Sequence, residues 1–181
     1  EGKNRFTINA LPKEAQISVL NGMVVNDFDG DGNLDVLING NDYGTEPILG
    51  RYDELNGLLL KGDGTGNFIP RSIFQSGIFI GGNGKALVQL RNTSQKLLIA
   101  ASQNKGPLKI FKLNKNKKMV SLNAMDETVM VYFKDGRKQK REVGYGSSFL
   151  SQSGRFITVD SNVQSIEIID NKGQTRSLNF P

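Results

Sequence analysis

Asp27-Phe28-Asp29-Gly30-Asp31-Gly32-Asn33-Leu34-Asp35 sets four aspartates at alternating positions, with glycines among them. Carboxylates at this spacing repel one another, so a folded loop that gathers them calls for a cation at its centre. Ca²⁺ suits such a loop, because it takes about six to eight hard oxygen ligands and tolerates irregular geometry. Asp27, Asp29 and Asp31 would supply side-chain oxygens, Asn33 its backbone carbonyl and Asp35 a further carboxylate. Gly30 and Gly32 allow the positive φ values that a tight wrap demands. The loop starts like an EF-hand, but Ile38 stands where an EF-hand needs a bidentate Glu. Its flanks, Met23-Val24-Val25 and Val36-Leu37-Ile38, are short apolar runs, so it joins two strands rather than two helices. The competing reading is an Asp/Gly turn without metal. Four regularly spaced acids exceed what a turn requires.

The 181-residue chain has neither cysteine nor histidine. That removes disulfides, cysteine nucleophiles, serine–histidine dyads and zinc sites built on thiolate or imidazole. No apolar run approaches the roughly 20 residues of a membrane-spanning helix, so no membrane span is expected. No signal peptide is visible, and the start at Glu1 is that expected of a processed or truncated chain. The 21 glycines, abundant Asn and Asp, and scattered Val and Ile indicate short strands joined by many turns. The expected class is all-β.

Charge is uneven along the chain. Residues 1–114 hold 12 basic and 11 acidic groups, whereas residues 115–181 hold 11 basic and 7 acidic. The excess sits at Lys115, Lys117 and Lys118, then at Lys134, Arg137, Lys138, Lys140 and Arg141. Such a surface can attract nucleic acid or anionic polysaccharide. It can equally be a solvated hairpin whose charges discourage edge-to-edge pairing. No aromatic residues interleave with these charges as base-stacking platforms, which favours the solvated hairpin and no nucleic-acid partner.

Along the chain, Phe6-Thr7-Ile8 suggests a short edge strand, and strands are expected at 18–26 and 35–39. Residues 40–56 form a long polar connection in which Arg51, Tyr52, Asp53 and Glu54 could line a ligand site or pack over a strand edge. Strands at 57–61 and from Phe68 flank the turn Gly62-Asp63-Gly64-Thr65-Gly66-Asn67. This is a hairpin, since no Lys-Ser/Thr and no helix follow as in a phosphate-binding loop. A repeat then emerges. Asn21-Gly22 through Asn41 aligns with Asn83-Gly84 through Asn104, with Met23-Val24-Val25 matching Lys85-Ala86-Leu87 and Val36-Leu37-Ile38 matching Leu98-Ile99-Ala100. The second loop, Arg91-Asn92-Thr93-Ser94-Gln95-Lys96, has no acids and should not bind metal. Gly106–Phe111 matches the strand at 57–61. Such repeats suggest propeller-type blades, each needing neighbours to bury its faces. Beyond residue 114 the texture changes to a compact β unit. Val129–Phe133 leads into the hairpin signal Asp135-Gly136, and strands at 156–159, 163–169 and 175–180 follow a Gly/Ser-rich crossing at 144–152. The expected division is therefore 1–114, two blades, and 115–181, a small antiparallel β unit.

The aspartate loop followed by Val36-Leu37-Ile38 resembles the calcium loop of FG-GAP/VCBS repeats, the propeller blades of integrin α chains and many secreted bacterial proteins. Arg141-Glu142-Val143, Gly146-Ser147-Ser148-Phe149-Leu150-Ser151-Gln152-Ser153, Ile166-Glu167-Ile168 and Asn171-Lys172-Gly173 resemble the ASPIC/UnbV domain that often follows such repeats in Bacteroidetes surface proteins. Two departures stand out: the family's Trp-Pro-Asp-Gly appears as Ile169-Asp170-Asn171-Lys172-Gly173, and the second blade lacks calcium ligands. The resemblance implies a secreted or cell-surface, non-enzymatic module in which Ca²⁺ stiffens a blade and the surface binds a protein or glycan. Two blades cannot close a ring, typically of about four to eight, so the chain is expected to be the C-terminal piece of a larger extracellular protein that supplies further blades; otherwise its blades pack on the C-terminal unit or on another copy. The alternative is a carbohydrate-active enzyme or accessory module using carboxylates such as Asp42, Asp53 and Glu54.

Overall fold

A computed structural model describes residues 8–115 and 117–181. Phe6 and Thr7 of the expected edge strand lie outside them, and Ile8 belongs to no strand. The described chain is all-β and its sheets are antiparallel, with no closed barrel or propeller ring among the described residues.

The first sheet is a meander of β1 (Leu20–Asn26), β2 (Asp35–Gly40), β3 (Leu58–Gly62) and β4 (Phe68–Arg71). A one-turn helix, α1 (Ile73–Ser76), then carries the chain over. It starts at a capping box between Ser72 and Gln75 and stops at Gly77 in the left-handed region. The second meander is β5 (Gly84–Arg91), β6 (Leu97–Gln103) and β7 (Lys109–Lys112). The two sheets meet through β1 and β5. Val24, Leu37, Leu87, Ile99 and Ala101 of the strands form their shared core with Ile80 of the segment that leads into β5.

The Asn-Gly repeat has a structural reason. Both β1, at Leu20/Gly22, and β5, at Gly84/Leu87, carry a bulge where the repeat begins. At this seam the backbones run so close that a Cβ on Gly22 would lie 2.6 Å from the Lys85 carbonyl and 2.7 Å from Leu87 Cβ. The asparagines stitch the same seam. Asn21 Nδ2 donates to the Gly84 carbonyl (2.9 Å), Asn39 Oδ1 accepts from Gly22 N–H (2.9 Å), and Asn41 Nδ2 donates to the Leu55 and Gly82 carbonyls (2.7 and 2.8 Å). At the bulges these bonds pair the Gly22 N–H and the Gly84 carbonyl, as buried backbone groups require.

The C-terminal part is two layers. One is a sheet in the order β10 (Lys138–Glu142), β9 (Asp126–Phe133), β12 (Val163–Asp170), β13 (Thr175–Asn179); the other is a ribbon of β8 (Lys118–Ser121) with β11 (Phe156–Val159). Val129, Val131 and Phe133 alternate inward along β9 and meet Ile166 and Ile168 of β12 and Ile157 and Val159 of β11. Gly136, at φ 86°, makes the turn between β9 and β10.

Candidate metal centre at the aspartate loop

The loop from Asp27 to Asp35 is wound on its own carboxylates. Asp27 accepts from Gly30 N–H (2.5 Å) and Gly32 N–H (2.9 Å), and Asp35 accepts from Phe28 N–H (2.9 Å) and Gly62 N–H (3.0 Å). Asp29 accepts from Asp31 N–H (3.2 Å), and Asp31 from Asn33 N–H (2.8 Å). Gly30 and Gly32 take φ of 80° and 88°, the left-handed values this winding needs. The result brings together Asp27, Asp29 and Asp35, whose nearest carboxylate oxygens lie within 4.8 Å of one another. Asp27 and Asp35 are buried.

Asp31 is not part of that group. Its Oδ2 is 2.9 Å from Lys61 Nζ, and the same ammonium donates to Asp29. The Asn33 side chain accepts from Arg137 Nη1 (2.9 Å), while the Asn33 carbonyl accepts no backbone hydrogen bond among the described residues.

Cations from distant sequence close around the loop. Lys117 is 6 % exposed, which overturns the reading of residues 115–118 as a wholly solvated basic stretch. Its Nζ donates to the Asp27 carbonyl and lies 2.8 Å from Asp160 Oδ2 and 3.6 Å from Asp27 Oδ1. Lys115 donates to the Asp29 carbonyl, and Arg137 Nη2 reaches the Asp31 carbonyl (3.4 Å). A neutral bond joins the same two parts, from Thr158 Oγ1 to Asn26 Oδ1 (2.7 Å). Sequence reasoning missed Lys61, Lys117, Asp160 and Arg137 as members of this site. None stands in a local pattern with the aspartates; the surplus of positive charge after residue 114 hinted at Lys117 and Arg137, and nothing pointed to Lys61 or Asp160.

Electrostatics separate the acids. Burial pushes the Asp27 and Asp35 carboxyls above their ordinary values; Lys117 and two N–H groups oppose this at Asp27, and the Phe28 and Gly62 N–H groups at Asp35. At Asp31 partial burial also acts upward, but the Asn33 N–H and Lys61 outweigh it and hold the carboxyl low. Hydrogen bonds from Lys61 to Asp29 and Asp31 raise the ammonium above its ordinary range. The two buried carboxylates are thus the undercompensated ones, and with Asp29 they face one another as hard oxygen donors. Their chemistry fits a hard divalent cation.

The loop between β5 and β6 differs. Asn92 Oδ1 accepts from Lys96 N–H (2.8 Å), Asn92 N–H donates to the Lys96 carbonyl (3.1 Å), and Gln95 takes φ 57°. It is a tight turn without a carboxylate. Asp42, Asp53 and Glu54 form no three-carboxylate cluster of metal-site dimensions. Asp42 accepts from Gly44 N–H (2.9 Å), Asp53 and Glu54 are exposed, and the converging acidic group among the described residues is the one in the loop. No protein-family model matches the chain, and a search of curated proteins gives no match.

Proposed function

We propose that the protein is a non-enzymatic, calcium-stabilised β module, secreted or displayed at a cell surface, that binds a protein or glycan. In this reading its two meanders are propeller-type blades and residues 115–181 an ASPIC/UnbV-like unit. The observation that carries the calcium reading is the convergence of Asp27, Asp29 and Asp35 at a loop clasped by the C-terminal unit. Asp27, Asp29 and Asp35 would hold the ion, and Asp31 and the Asn33 carbonyl would complete the set that the sequence resemblance implies. Bound Ca²⁺ would offset the repulsion among buried carboxylates and stabilise the fold by mass action.

The test is thermal melting during calcium titration of the native chain, Asp29→Ala and Asp31→Ala. A melting temperature that rises with Ca²⁺ in the native chain and stays flat in Asp29→Ala supports the assignment. A flat response in Asp31→Ala as well would add Asp31 to the ligand set; a retained response would leave Asp31 as the partner of Lys61. No response of the native chain at millimolar Ca²⁺ removes the metal from the account.

A further inference from the structure

A cleft of about 370 Å³ opens where the first meander meets the C-terminal unit. Met23 and Val25, on the face of β1 turned away from the core, contribute apolar surface and are about half exposed. Arg141 of β10 and Ser147 and Ser153 of the crossing also line it. The volume is at the small end of small-molecule sites, about 300–1,000 Å³, and apolar surface with a few convergent polar groups is their usual composition.

The polar groups of this cleft are unbalanced. Arg141 Nε donates to Gln139 Oε1 (2.8 Å) and Nη1 to the Thr158 carbonyl (3.2 Å), which fixes the guanidinium plane. Its Nη2 donates to no described residue, and no carboxylate among them lies within 4.0 Å of its nitrogens. The neighbouring cations are committed. Lys140 pairs with Glu142 (2.8 Å), and Arg155 donates to the carbonyls of Asn123, Val143 and Asp126. Ser147 Oγ accepts from Ser153 N–H (2.8 Å) and Ser153 Oγ from Gln89 N–H (3.1 Å), and neither hydroxyl donates to a described residue. The amide oxygens are already occupied, Gln89 Oε1 by Asn26 Nδ2 (2.6 Å) and Gln152 Oε1 by Gly146 N–H (2.6 Å). The cleft therefore offers donors and a fixed positive charge at Arg141, and the one carboxylate on its lining, Glu142, is paired with Lys140.

We propose that this cleft binds a small carboxylate-bearing ligand, with its carboxylate on Arg141, flanked by Ser147 and Ser153, and its carbon body against Met23 and Val25. A guanidinium presents a planar pair of N–H groups that matches a carboxylate. A single uncommitted cation suits one negative charge better than a phosphate dianion. An acidic sugar and the C-terminal residue of a peptide carry the same group, and either could be its source. None of the loop aspartates lines the cleft, although Asp27 and Asp160 act on Arg141 through their charge, so the titration is run in chelator and again with Ca²⁺.

The experiment is an NMR titration of the native chain with glucuronate, N-acetylmethionine, glucose and inorganic phosphate. Saturable shifts at Ser147, Ser153 and Arg141 with glucuronate or N-acetylmethionine, and none with glucose, are expected; the tighter of the two identifies the source. Arg141→Gln should weaken binding at least about tenfold, the loss of a charge-assisted hydrogen bond, while Lys172→Gln, away from the cleft, leaves it unchanged. Should Arg141→Gln fail to fold, Arg141→Lys keeps the charge and loses the planar pair, and it too should bind more weakly. Unchanged affinity in the Arg141 variants overturns the proposal. So does phosphate binding as tightly as the carboxylates, or no saturation at concentrations on the order of 10 mM.

Discussion

The loops after β1 and after β5 occupy corresponding places in two copies of one hairpin, yet they meet the rest of the molecule differently. Both hairpins bulge at the Asn-Gly that opens the repeat, and both point apolar side chains into one core. Residues 27–34 then form a carboxylate loop that reaches Lys115, Lys117 and Arg137. Residues 92–96 form a turn whose hydrogen bonds stay within it. The second hairpin still touches the C-terminal unit, but without carboxylates, through bonds such as Gly154 N–H to the Gln89 carbonyl (2.8 Å) and Arg91 Nη1 to Ser121 Oγ (2.8 Å). Bulges and apolar periodicity therefore fix the shared scaffold, and loop composition decides which copy is joined by an ion pair. The positive excess of residues 115–181 is thus in part a set of counter-ions for the other half of the chain.

The largest test of this difference is Lys117→Met against Lys96→Met. Removing the buried ammonium leaves Asp27 and Asp160 without their cation, a loss of about 3–5 kcal/mol for a broken buried pair. Lys96, in the second loop, should cost no more than about 0.5 kcal/mol. Urea midpoints at unchanged m-value would measure both, and equal losses would abolish the distinction between the loops. What the copies share is tested by Gly22→Ala and Gly84→Ala. The first forces a Cβ against backbone and Leu87 and should cost about 1–3 kcal/mol. The second should cost less, because its nearest neighbour, the Gly40 carbonyl, is 3.0 Å away.

The scaffold was largely legible and the clasp was not. Strands flanking Asp27–Asp35, the Gly62–Asn67 hairpin, the Asp135-Gly136 turn and the last three strands follow from period-two patterning and turn residues, which are local signals. β8 escaped because Lys118–Ser121 holds only Met119 and Val120 as apolar residues and lies in a basic stretch. α1 escaped although Ser72, Gln75 and Gly77 spell a capped turn, since four residues give no helical periodicity. The aspartates drew attention by spacing, but spacing could not tell that Asp31 would turn to Lys61 while Asp35 turned inward. Lys117 looked solvated because burial of a lysine depends on carboxylates 43 and 90 positions away. Arg141 likewise looked like one more charge on an alternating edge strand. Only tertiary packing distinguishes it from Lys140.

A smaller difference between the loops is a pH dependence. Burial raises the folded-state values of Asp27 and Asp35. Their contribution to metal-free stability is therefore full below the ordinary aspartate value of 3.8 and is lost as pH rises through the raised values. Asp126, held low by its hydrogen bond to Arg176, opposes this, as do Asp31, Asp63, Asp135 and Glu142, whose hydrogen bonds also hold their carboxyls low; these contributions vanish as pH falls. Measured in chelator in an Asp126→Asn background, stability should fall between about pH 4 and neutrality. Added Asp27→Asn should flatten that fall, whereas Lys96→Met in the second loop should leave it unchanged. A profile that Asp27→Asn does not alter would remove the aspartate loop as its source.

The smallest expected effect decides what neutralises the first loop. Lys61 bridges Asp29 and Asp31 with about a quarter of its side chain still in solvent, so Lys61→Met in chelator should cost only about 0.2–1 kcal/mol. If Ca²⁺ enters among Asp27, Asp29 and Asp35, the ammonium competes with it for Asp29. Removing that competitor should tighten calcium binding, so the variant should gain more from saturating Ca²⁺ than the native chain and close or reverse its deficit. Thermal melts with and without calcium measure this directly. A deficit of the same size in both conditions would mean that Lys61 is the loop's resident cation. The aspartate loop would then differ from its copy only in being held by lysines of its own chain.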